Sequence, residues 1–261
     1  MGNIWLSLIL STALAALALW RRAITYPGTA LAWCFSVVIC YCAGVWGFCA
    51  LAATLIFTLI AGKISGKKRE GTEKKIHAKH GRRDSMQIFC NVGTSAAMAL
   101  VFALTGREAF LCASGAALAA SLADSMASEM GILSPKPPRD ICTLKRVQPG
   151  ISGGVSALGL AMSALGAAII AAVCLGQGRG LAFCGVIALS GFVAALVDSA
   201  LGSAVQAKYR CGVCGALTEK KVHCDVPGSL EKGLRWVDND MVNFLNNLSG
   251  AVLALVLWTV I

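Results

Sequence analysis

The sequence predicts an all-α polytopic membrane protein with about eight transmembrane helices. Of the 261 residues 57% are apolar and 14% are charged, whereas soluble domains carry about 25% charged residues. The mean hydropathy is +0.71, and the apolar residues form runs long enough to cross a ~30 Å hydrocarbon core as helices. We therefore expect one integral membrane domain over 1–261, and neither a soluble protein nor a nucleic-acid binder.

Eight apolar runs follow one another along the chain. Backbone polar groups in lipid must find partners within their own segment, so each run is predicted to be a helix. The second and third runs are interrupted only by Gly44 and Gly47, and their joint length favours two short crossings over one. The predicted helices span 3–20, 28–43, 45–62, 86–105, 109–129, 151–175, 181–205 and 241–261.

The positions of the basic residues predict the orientation in the membrane. The connections after the first, third, fifth and seventh helices hold 21 of the 23 Lys and Arg residues, and the opposite side holds Arg107 and Arg179. Since cytoplasmic loops carry the excess of positive charge, we expect both termini outside and the loops 63–85, 130–150 and 207–239 in the cytoplasm. The expected location is a prokaryotic plasma membrane.

Two of these basic segments have further interpretations. Arg21 and Arg22 follow the first apolar run rather than precede it, which is the reverse of a signal peptide, so 3–20 is predicted to be a retained helix. The loop 63–85, with His77 and His80, is typical of a solvated connection or a contact with anionic lipid.

Carboxylates within the predicted helices lie toward the face that carries the basic loops. An ionisable group inside a membrane helix costs about 3 kcal/mol, so such groups indicate function. Capping also explains Asp84 and Asp240, which open helices, but it does not explain Asp124 and Asp198, which follow long apolar runs. The candidate catalytic residues are Asp84, Asp124, Asp198 and Glu129, which lies near Asp124.

An internal repeat predicts that Asp124 and Asp198 face one cavity. The segments 120–125 and 194–199 align at an offset of 74, so helices five and six would repeat as helices seven and eight. A chance match between common membrane residues is the alternative. Two carboxylates from separate helices, assisted by Glu129, suit Mg²⁺ that also contacts phosphate. The adjacent hydroxyl groups belong to Ser125, Ser128 and Ser199.

Further polar segments on the same face predict phosphate contacts. The glycine-rich segment 149–156 opens the sixth predicted helix, where N–H groups and the positive helix end attract anions, although Gly and Ser also pack membrane helices closely. Arg82 and Arg83 precede Gln87 and Asn91, whose amides lie on one face of helix four. Helix eight carries Asp240 and Asn243 at a corresponding spacing. The candidate binding residues are Arg82, Arg83, Gln87, Asn91, Lys145, Ser152, Gly153, Gly154, Asp240 and Asn243.

Four potential metal ligands occur together in the last basic loop, in the order Cys211, Cys214, His223 and Cys224. Because the cytoplasm is reducing, a metal site is favoured there over a disulfide. Structural Zn²⁺ takes four such ligands. Ordinary thiols are the alternative, since an adjacent His-Cys pair departs from zinc-finger spacing.

The motifs together resemble, in order and spacing, the integral membrane family of domain of unknown function ninety-two. The resemblance covers nearly the whole chain, and it implies the fold and the activity of that family, which includes the phytyl-phosphate kinases of plants and cyanobacteria. The resemblance also implies that Gln206 is a binding residue. The sequence departs from the family pattern at Ile151, where a threonine is expected. The matching segments are Gly81-Arg82-Arg83-Asp84-x2-Gln87-x3-Asn91, Ala123-Asp124-Ser125-x-Ala127-Ser128-Glu129-x-Gly131, Gly150-x-Ser152-Gly153-Gly154-Val155-Ser156, Asp198-Ser199-x2-Gly202-x3-Gln206, Cys211-x2-Cys214-Gly215 and Asn243-Phe244-x-Asn246.

The resemblance implies a membrane prenyl-monophosphate kinase that transfers a phosphoryl group from CTP or ATP to an isoprenoid phosphate. Its partners would be a membrane isoprenoid phosphate, a nucleoside triphosphate and Mg²⁺, with the active site facing the cytoplasm. The alternative is an ion-coupled transporter of an anionic or lipid-like substrate, because parallel repeats and intramembrane acids also occur in carriers. A scaffold with a zinc-bound loop would leave Asp124 and Asp198 unexplained.

Overall fold

The predicted helical architecture is confirmed. The computed structural model describes residues 2–260 except 77–80, and for 67–76 it describes the backbone alone. Within the described chain seven helices are long and apolar enough to span a membrane, and α1, with 17 residues, is shorter. The helices are α1 (Ile4–Trp20), α2 (Tyr26–Ala43), α3 (Val45–Ile76), α4 (Ser85–Thr105), α5 (Glu108–Gly131), α6 (Ala157–Gly176), α7 (Leu181–Ala204) and α8 (Asn239–Trp258).

Helix α5 is the central element of the bundle. It packs against α3, α4, α6, α7 and α8, and its alanine-rich surface is almost entirely buried. Glycines of three neighbouring helices lie directly on it, namely Gly166 of α6, Gly191 of α7 and Gly250 of α8. Because lipid supplies no hydrophobic driving force between helices, such close backbone approach is a main source of their attraction.

Hydrogen bonds between helices complete this packing. Ser95 of α4 and Ser114 of α5 share a hydrogen bond of 2.9 Å between their hydroxyl groups. The side-chain amide of Asn247 in α8 donates to the carbonyl oxygen of Cys90 in α4 at 3.0 Å. Polar groups inside a membrane bundle need such partners, since neither lipid nor water offers them there.

The predicted start of the sixth helix at 151 is wrong, because α6 begins at Ala157. Gly150 and Gly153 have φ values of 89° and 87°, which a right-handed helix excludes. The side chain of Ser156 then accepts a hydrogen bond from the N–H of Gly159, which caps α6. The preceding segment instead forms a short antiparallel pair, β1 (Arg139–Asp140) with β2 (Gly154–Val155).

The segment predicted as the loop 63–85 is helical in its first part. Helix α3 bends at Gly66, where φ is 46° and ψ is −129°, and then continues to Ile76. Lysine, arginine and glutamate follow the bend, and these residues favour helices. His77 and His80 lie outside the described residues.

The connections between helices meet at the basic end of the bundle. The backbone of Arg83, before α4, exchanges hydrogen bonds with Ala23 and Thr25, after α1, at 2.9 and 3.0 Å. The last connection, between α7 and α8, forms a three-stranded antiparallel sheet in the order β4-β3-β7 and a separate hairpin β5-β6. Its strands are β3 (Lys208–Arg210), β4 (Leu217–Thr218), β5 (Val222–His223), β6 (Val226–Pro227) and β7 (Ser229–Lys232).

Candidate functional site

A cavity of about 590 Å³ lies at the basic end and is lined by residues from all eight helices. This volume lies within the usual range of small-molecule sites, roughly 300–1,000 Å³. Exposed residues of the basic connections, among them Arg22, Gly81 and Pro149, form part of its wall. The cavity therefore opens on the face of the bundle that carries the positive charge.

Asp124 and Asp198 meet in this cavity, as the repeat predicts. Their carboxyl groups lie within hydrogen-bonding distance of each other. Each lies inside a membrane-spanning helix, about 10 Å from the end of α5 or α7 at 1.5 Å per residue. Asp198 Oδ1 is buried without a hydrogen-bond partner in the described part of the chain. Two carboxylates in contact require a shared proton or a cation between them.

The charged residues of the wall are mostly acidic. Among the residues whose side chains the structure describes, six carboxylate residues line the cavity against three basic residues. The acids are Asp124, Glu129, Asp198, Glu219, Asp238 and Asp240, and the bases are Arg22, Lys63 and Arg83. An anionic ligand is repelled by such an excess unless a cation accompanies it.

Glu129 does not form a group of three with Asp124 and Asp198. Within the described residues, His, Cys, Asp and Glu side chains converge in a group of three or more only in the last loop, where the ligands are Cys and His. The side chain of Glu129 instead accepts a hydrogen bond from the hydroxyl of Ser65, in α3, at 3.0 Å. Glu129 lines the same cavity, but the predicted trio is not assembled.

Arg83 connects the basic rim to the acidic pair. Its guanidinium Nη2 donates to the hydroxyl oxygen of Ser125, the residue that follows Asp124, at 3.3 Å. The backbone hydrogen bonds to Ala23 and Thr25 fix the position of Arg83 at the end of α1 and the start of α2. A cationic fork beside the carboxylates can pair with an anion that a metal ion also contacts.

The glycine-rich segment packs against α7. A Cβ atom on Gly153 would lie 2.5 Å from Cα of Ser203. The N–H of Gly154 donates to the carbonyl oxygen of Ile151 at 3.1 Å, and the N–H of Ser152 donates to Glu219 at 3.3 Å. The N–H groups of Ser152 and Gly154 are thus engaged, and neither is available to an anion in this structure.

Most of the predicted catalytic and binding residues line the cavity, and four do not. Asp84 caps α4 through the N–H of Gln87, Arg82 and Lys145 are exposed, and Gln206 is buried beside a smaller cavity of about 340 Å³. The predicted residues that line the main cavity are Arg83, Gln87, Asn91, Asp124, Ser125, Ser128, Glu129, Ser152, Gly153, Gly154, Asp198, Ser199, Asp240 and Asn243.

Residues that the sequence reasoning missed also line the cavity. In the sequence Arg22 and Lys63 are explained by the positive charge expected of cytoplasmic loops, and nothing in their spacing distinguishes them from other basic loop residues. Glu219 is buried between Thr218 and Lys220, a polar context that gives no sequence signal of burial, and Asp238 is the N-cap of α8. Their place in the wall depends on how that loop folds back over the bundle.

The other part of the cavity is an arm between α1, α2, α3 and α4 whose wall is mostly apolar, with the hydroxyl groups of Ser11, Ser36, Thr54 and Thr58 among its apolar side chains. Leu14 and Ala15 of α1, Trp33 of α2, Leu55 of α3 and Val92 of α4 line this arm. It also reaches Ser36 of α2, ten residues from the helix start, so the arm extends about 15 Å into the bundle at 1.5 Å per residue. The site thus joins a charged end to an apolar one.

Comparison with known proteins identifies the family. The family model described as integral membrane protein DUF92 matches residues 9–251. Protein PGR of Arabidopsis thaliana is 27% identical over 234 residues, which covers 77% of this chain and 79% of that protein. Uncharacterized membrane protein sll0875 of Synechocystis sp. is 28% identical over 263 residues, covering 96% and 90%. No solved structure matches. Since the family model covers almost the whole chain, this protein belongs to the DUF92 family of integral membrane proteins.

Proposed function

We propose that this protein is a membrane kinase that transfers a phosphoryl group from CTP or ATP to an isoprenoid monophosphate. The observation that carries the proposal is the two-part cavity, in which an acidic end with Asp124 and Asp198 joins an apolar arm about 15 Å long. A prenyl phosphate has the same division, with an anionic head and an apolar tail. The resemblance of the motifs to a family with phytyl-phosphate kinases supports the same reaction.

Asp124 and Asp198 are the residues that would hold Mg²⁺. They are in contact, their helices present them to the cavity, and one oxygen of Asp198 is buried without a partner in the described residues. Carboxylates together with retained waters are the ligands that Mg²⁺ prefers. Bound Mg²⁺ supplies positive charge that neutralises the transferring phosphates.

The positive groups of the wall would position the two anions. Arg22, Lys63 and Arg83 line the cavity, and α4, α6 and α8 all begin at this face. The first turns of these helices carry a partial positive charge that favours phosphate. An acceptor held at Arg83, beside Ser125, would have its tail directed into the arm between α1 and α3.

The reaction needs little covalent chemistry from the protein. An oxygen of the acceptor phosphate forms a bond to the γ-phosphorus of the donor, the bond from that phosphorus to the β-phosphate oxygen breaks, and the nucleoside diphosphate leaves. The acceptor oxygen is already an anion, so no strong general base is required. Positioning and charge neutralisation by the wall residues are the main contributions.

The testing experiment measures prenyl diphosphate formation by purified protein in detergent. Prenyl monophosphates of several lengths are combined with Mg²⁺ and either CTP or ATP, and the product is identified by mass spectrometry. Asp124→Asn and Asp198→Asn are each expected to lower the rate by at least about 100-fold, since they remove charge from the metal site. Glu108→Gln, at the opposite face of the bundle, is the matched control and should keep the rate within about twofold.

The transporter remains the competing function, because α5 with α6 and α7 with α8 form pairs of matching lengths, 24 and 20 residues in each. A carrier would move a prenyl phosphate or another anion across the membrane of a proteoliposome without consuming nucleotide. The absence of turnover with either nucleotide, together with such a flux, would contradict the kinase.

A further inference from the structure

The connection between α7 and α8 gathers four metal-ligand side chains from two hairpins. The turn between β3 and β4 carries Cys211 and Cys214, and the hairpin of β5 and β6 carries His223 and Cys224. One ligand atom from each residue lies within 4.8 Å of all the others. Residues that are up to 13 positions apart are thus brought to one point by the fold.

The spacing of the ligand atoms of Cys214, His223 and Cys224 is close to that of a tetrahedral zinc centre. The sulfur atoms of Cys214 and Cys224 are 3.8 Å apart, and Nδ1 of His223 lies 3.4 Å from Cys214 Sγ and 3.2 Å from Cys224 Sγ. Bonds of about 2.3 Å to sulfur and about 2.1 Å to nitrogen place tetrahedral ligands about 3.8 and 3.6 Å apart. A disulfide requires sulfur atoms about 2.05 Å apart, so the geometry favours the metal.

The backbone of both turns is shaped for this arrangement. Gly215 has a φ of 68° and its N–H donates to the carbonyl of Cys211 at 3.0 Å, which closes the first turn. Cys224 and Asp225 have φ values of 53° and 59°. Positive φ at two successive non-glycine residues is costly, and bonds from Cys224 to a metal would offset that cost.

This connection has little apolar core of its own. Its strands are two to four residues long, and Val213, Val222 and Trp236 are 68%, 57% and 68% exposed. Its buried apolar residues are Ala207, Tyr209 and Val237, and a unit with so small a core usually depends on a disulfide or a structural metal for its fold. The four ligands are the residues able to supply that link.

The base of the first hairpin reaches the cavity. Lys208, the first residue of β3, donates from Nζ to the carbonyl oxygen of Ser152 at 2.7 Å. Glu219, directly after β4, accepts hydrogen bonds from the N–H and the hydroxyl of the same serine. Lys208 and Glu219 are both buried, and Glu219 lines the cavity. Cys211 lies three residues beyond Lys208, about 10 Å away along the strand.

We infer that the connection between α7 and α8 is a zinc ribbon whose metal holds Glu219 and Lys208 against Ser152 at the wall of the cavity. The metal lies outside the cavity and takes no part in chemistry there. Its role is structural, and Glu219 and Lys208 are positioning residues for the segment that leads into α6. The consequence for catalysis rests on the proposed function, whereas the metal site and its effect on Ser152 do not.

The first test is the metal content of the full-length protein purified in detergent and washed with a weak chelator. Elemental analysis is expected to find about one zinc per chain. Cys214→Ser and Cys224→Ser should each lose most of it. Cys142→Ser removes an exposed cysteine of the neighbouring loop and should retain it. Wild-type protein without zinc, or full zinc in the Cys214→Ser and Cys224→Ser variants, would overturn the inference.

The second test measures amide hydrogen exchange in wild-type protein before and after removal of zinc with a strong chelator, so that it does not depend on the folding of a variant. Exchange in 150–156 and 206–219 is expected to become at least about tenfold faster, while the interior of α5 stays protected. Unchanged exchange at Ser152 would show that the metal does not position this segment. Zinc content and amide exchange can both be measured if the protein has no kinase activity. A protein that has kinase activity but binds no zinc would refute the zinc ribbon and leave the proposed function in place.

Discussion

Asp140 illustrates at the residue scale how the surroundings of the cavity are held. It lies in β1, outside the membrane-spanning helices, and accepts hydrogen bonds from the Ser203 hydroxyl at 2.7 Å and the N–H groups of Thr143 and Cys142 at 2.8 and 3.0 Å. Burial raises the pKa of this carboxyl group, but the hydrogen bonds outweigh burial and lower the pKa from 3.8 to about 2. Asp140 therefore links the connection before α6 to the end of α7 as a carboxylate.

The lowered pKa predicts how stability depends on pH. The folded state binds the proton of Asp140 more weakly than the unfolded state, so the stabilisation is complete above about pH 4 and is lost as the pH falls toward 2. Asp140→Asn should lower the free energy of unfolding by roughly 2 kcal/mol at neutral pH. Thermal unfolding in detergent, measured from pH 7 to 3, should show the difference from wild type shrinking below pH 4. A constant difference over this range would contradict the role of the charge.

The acidic pair could be predicted from sequence, whereas its surroundings could not. Asp124 and Asp198 stand out because carboxylates inside apolar helices are costly, and the offset of 74 brings them to the same depth. Glu219 follows a strand of two residues, and its contact with Ser152 depends on folding across 67 residues. The sequence around Gly153 predicts an anion-binding loop, but the positive φ of Gly153 and its close approach to Ser203 show that this glycine serves packing.

At the scale of elements, helix α1 separates the apolar arm from lipid. Ala15 lines the arm, whereas its neighbour Ala16 is exposed on the outer side of the helix. A phenylalanine at 15 would occupy space that the proposal assigns to the isoprenoid tail. Each CH2 group that loses its buried place weakens binding by about 0.8 kcal/mol.

Ala15→Phe is therefore expected to raise KM for a long prenyl monophosphate by about tenfold, which corresponds to the loss of two buried CH2 groups. The value of kcat and the KM for the nucleotide should change little, because Ala15 lies away from the acidic pair. The measurement compares prenyl monophosphates of different lengths. Ala16→Phe is the matched control and should behave as wild type. An equal effect of both substitutions would show that the tail binds elsewhere.

The elements were predictable to the extent that hydropathy defines them. Seven of the eight predicted helices begin within two residues of the observed positions, since the transition from polar to apolar residues is sharp. The start of α6 was misjudged because Ile151 and Val155 extend the apolar run through a segment that glycine conformation keeps from being helical. The strands of the last connection give no periodic signal, because each is too short for alternation to be recognised.

At the scale of the whole molecule, polar chemistry is concentrated at one end. The cavity, the acidic pair and the strands of the described chain lie at the end of the bundle where the basic connections meet, and in the sequence the connections of this side hold 21 of the 23 basic residues. The opposite end has short connections, and there Arg179 forms an ion pair with Glu108 at 3.0 Å. For the proposed kinase, the nucleoside triphosphate would enter at the basic end of the bundle, which the excess of Lys and Arg predicts to face the cytoplasm.

The orientation can be tested with reporter fusions. Alkaline phosphatase is active only outside the cytoplasm, and a green fluorescent protein is bright only inside it. The excess of Lys and Arg predicts that phosphatase fused after residue 260 is active, and that fusion after Arg235, within the last basic connection, is inactive but fluorescent with the other reporter. The reversed pattern would place the acidic pair on the outer face, where nucleoside triphosphates are scarce. That result would contradict the kinase proposal and leave the geometry of the cavity unaffected.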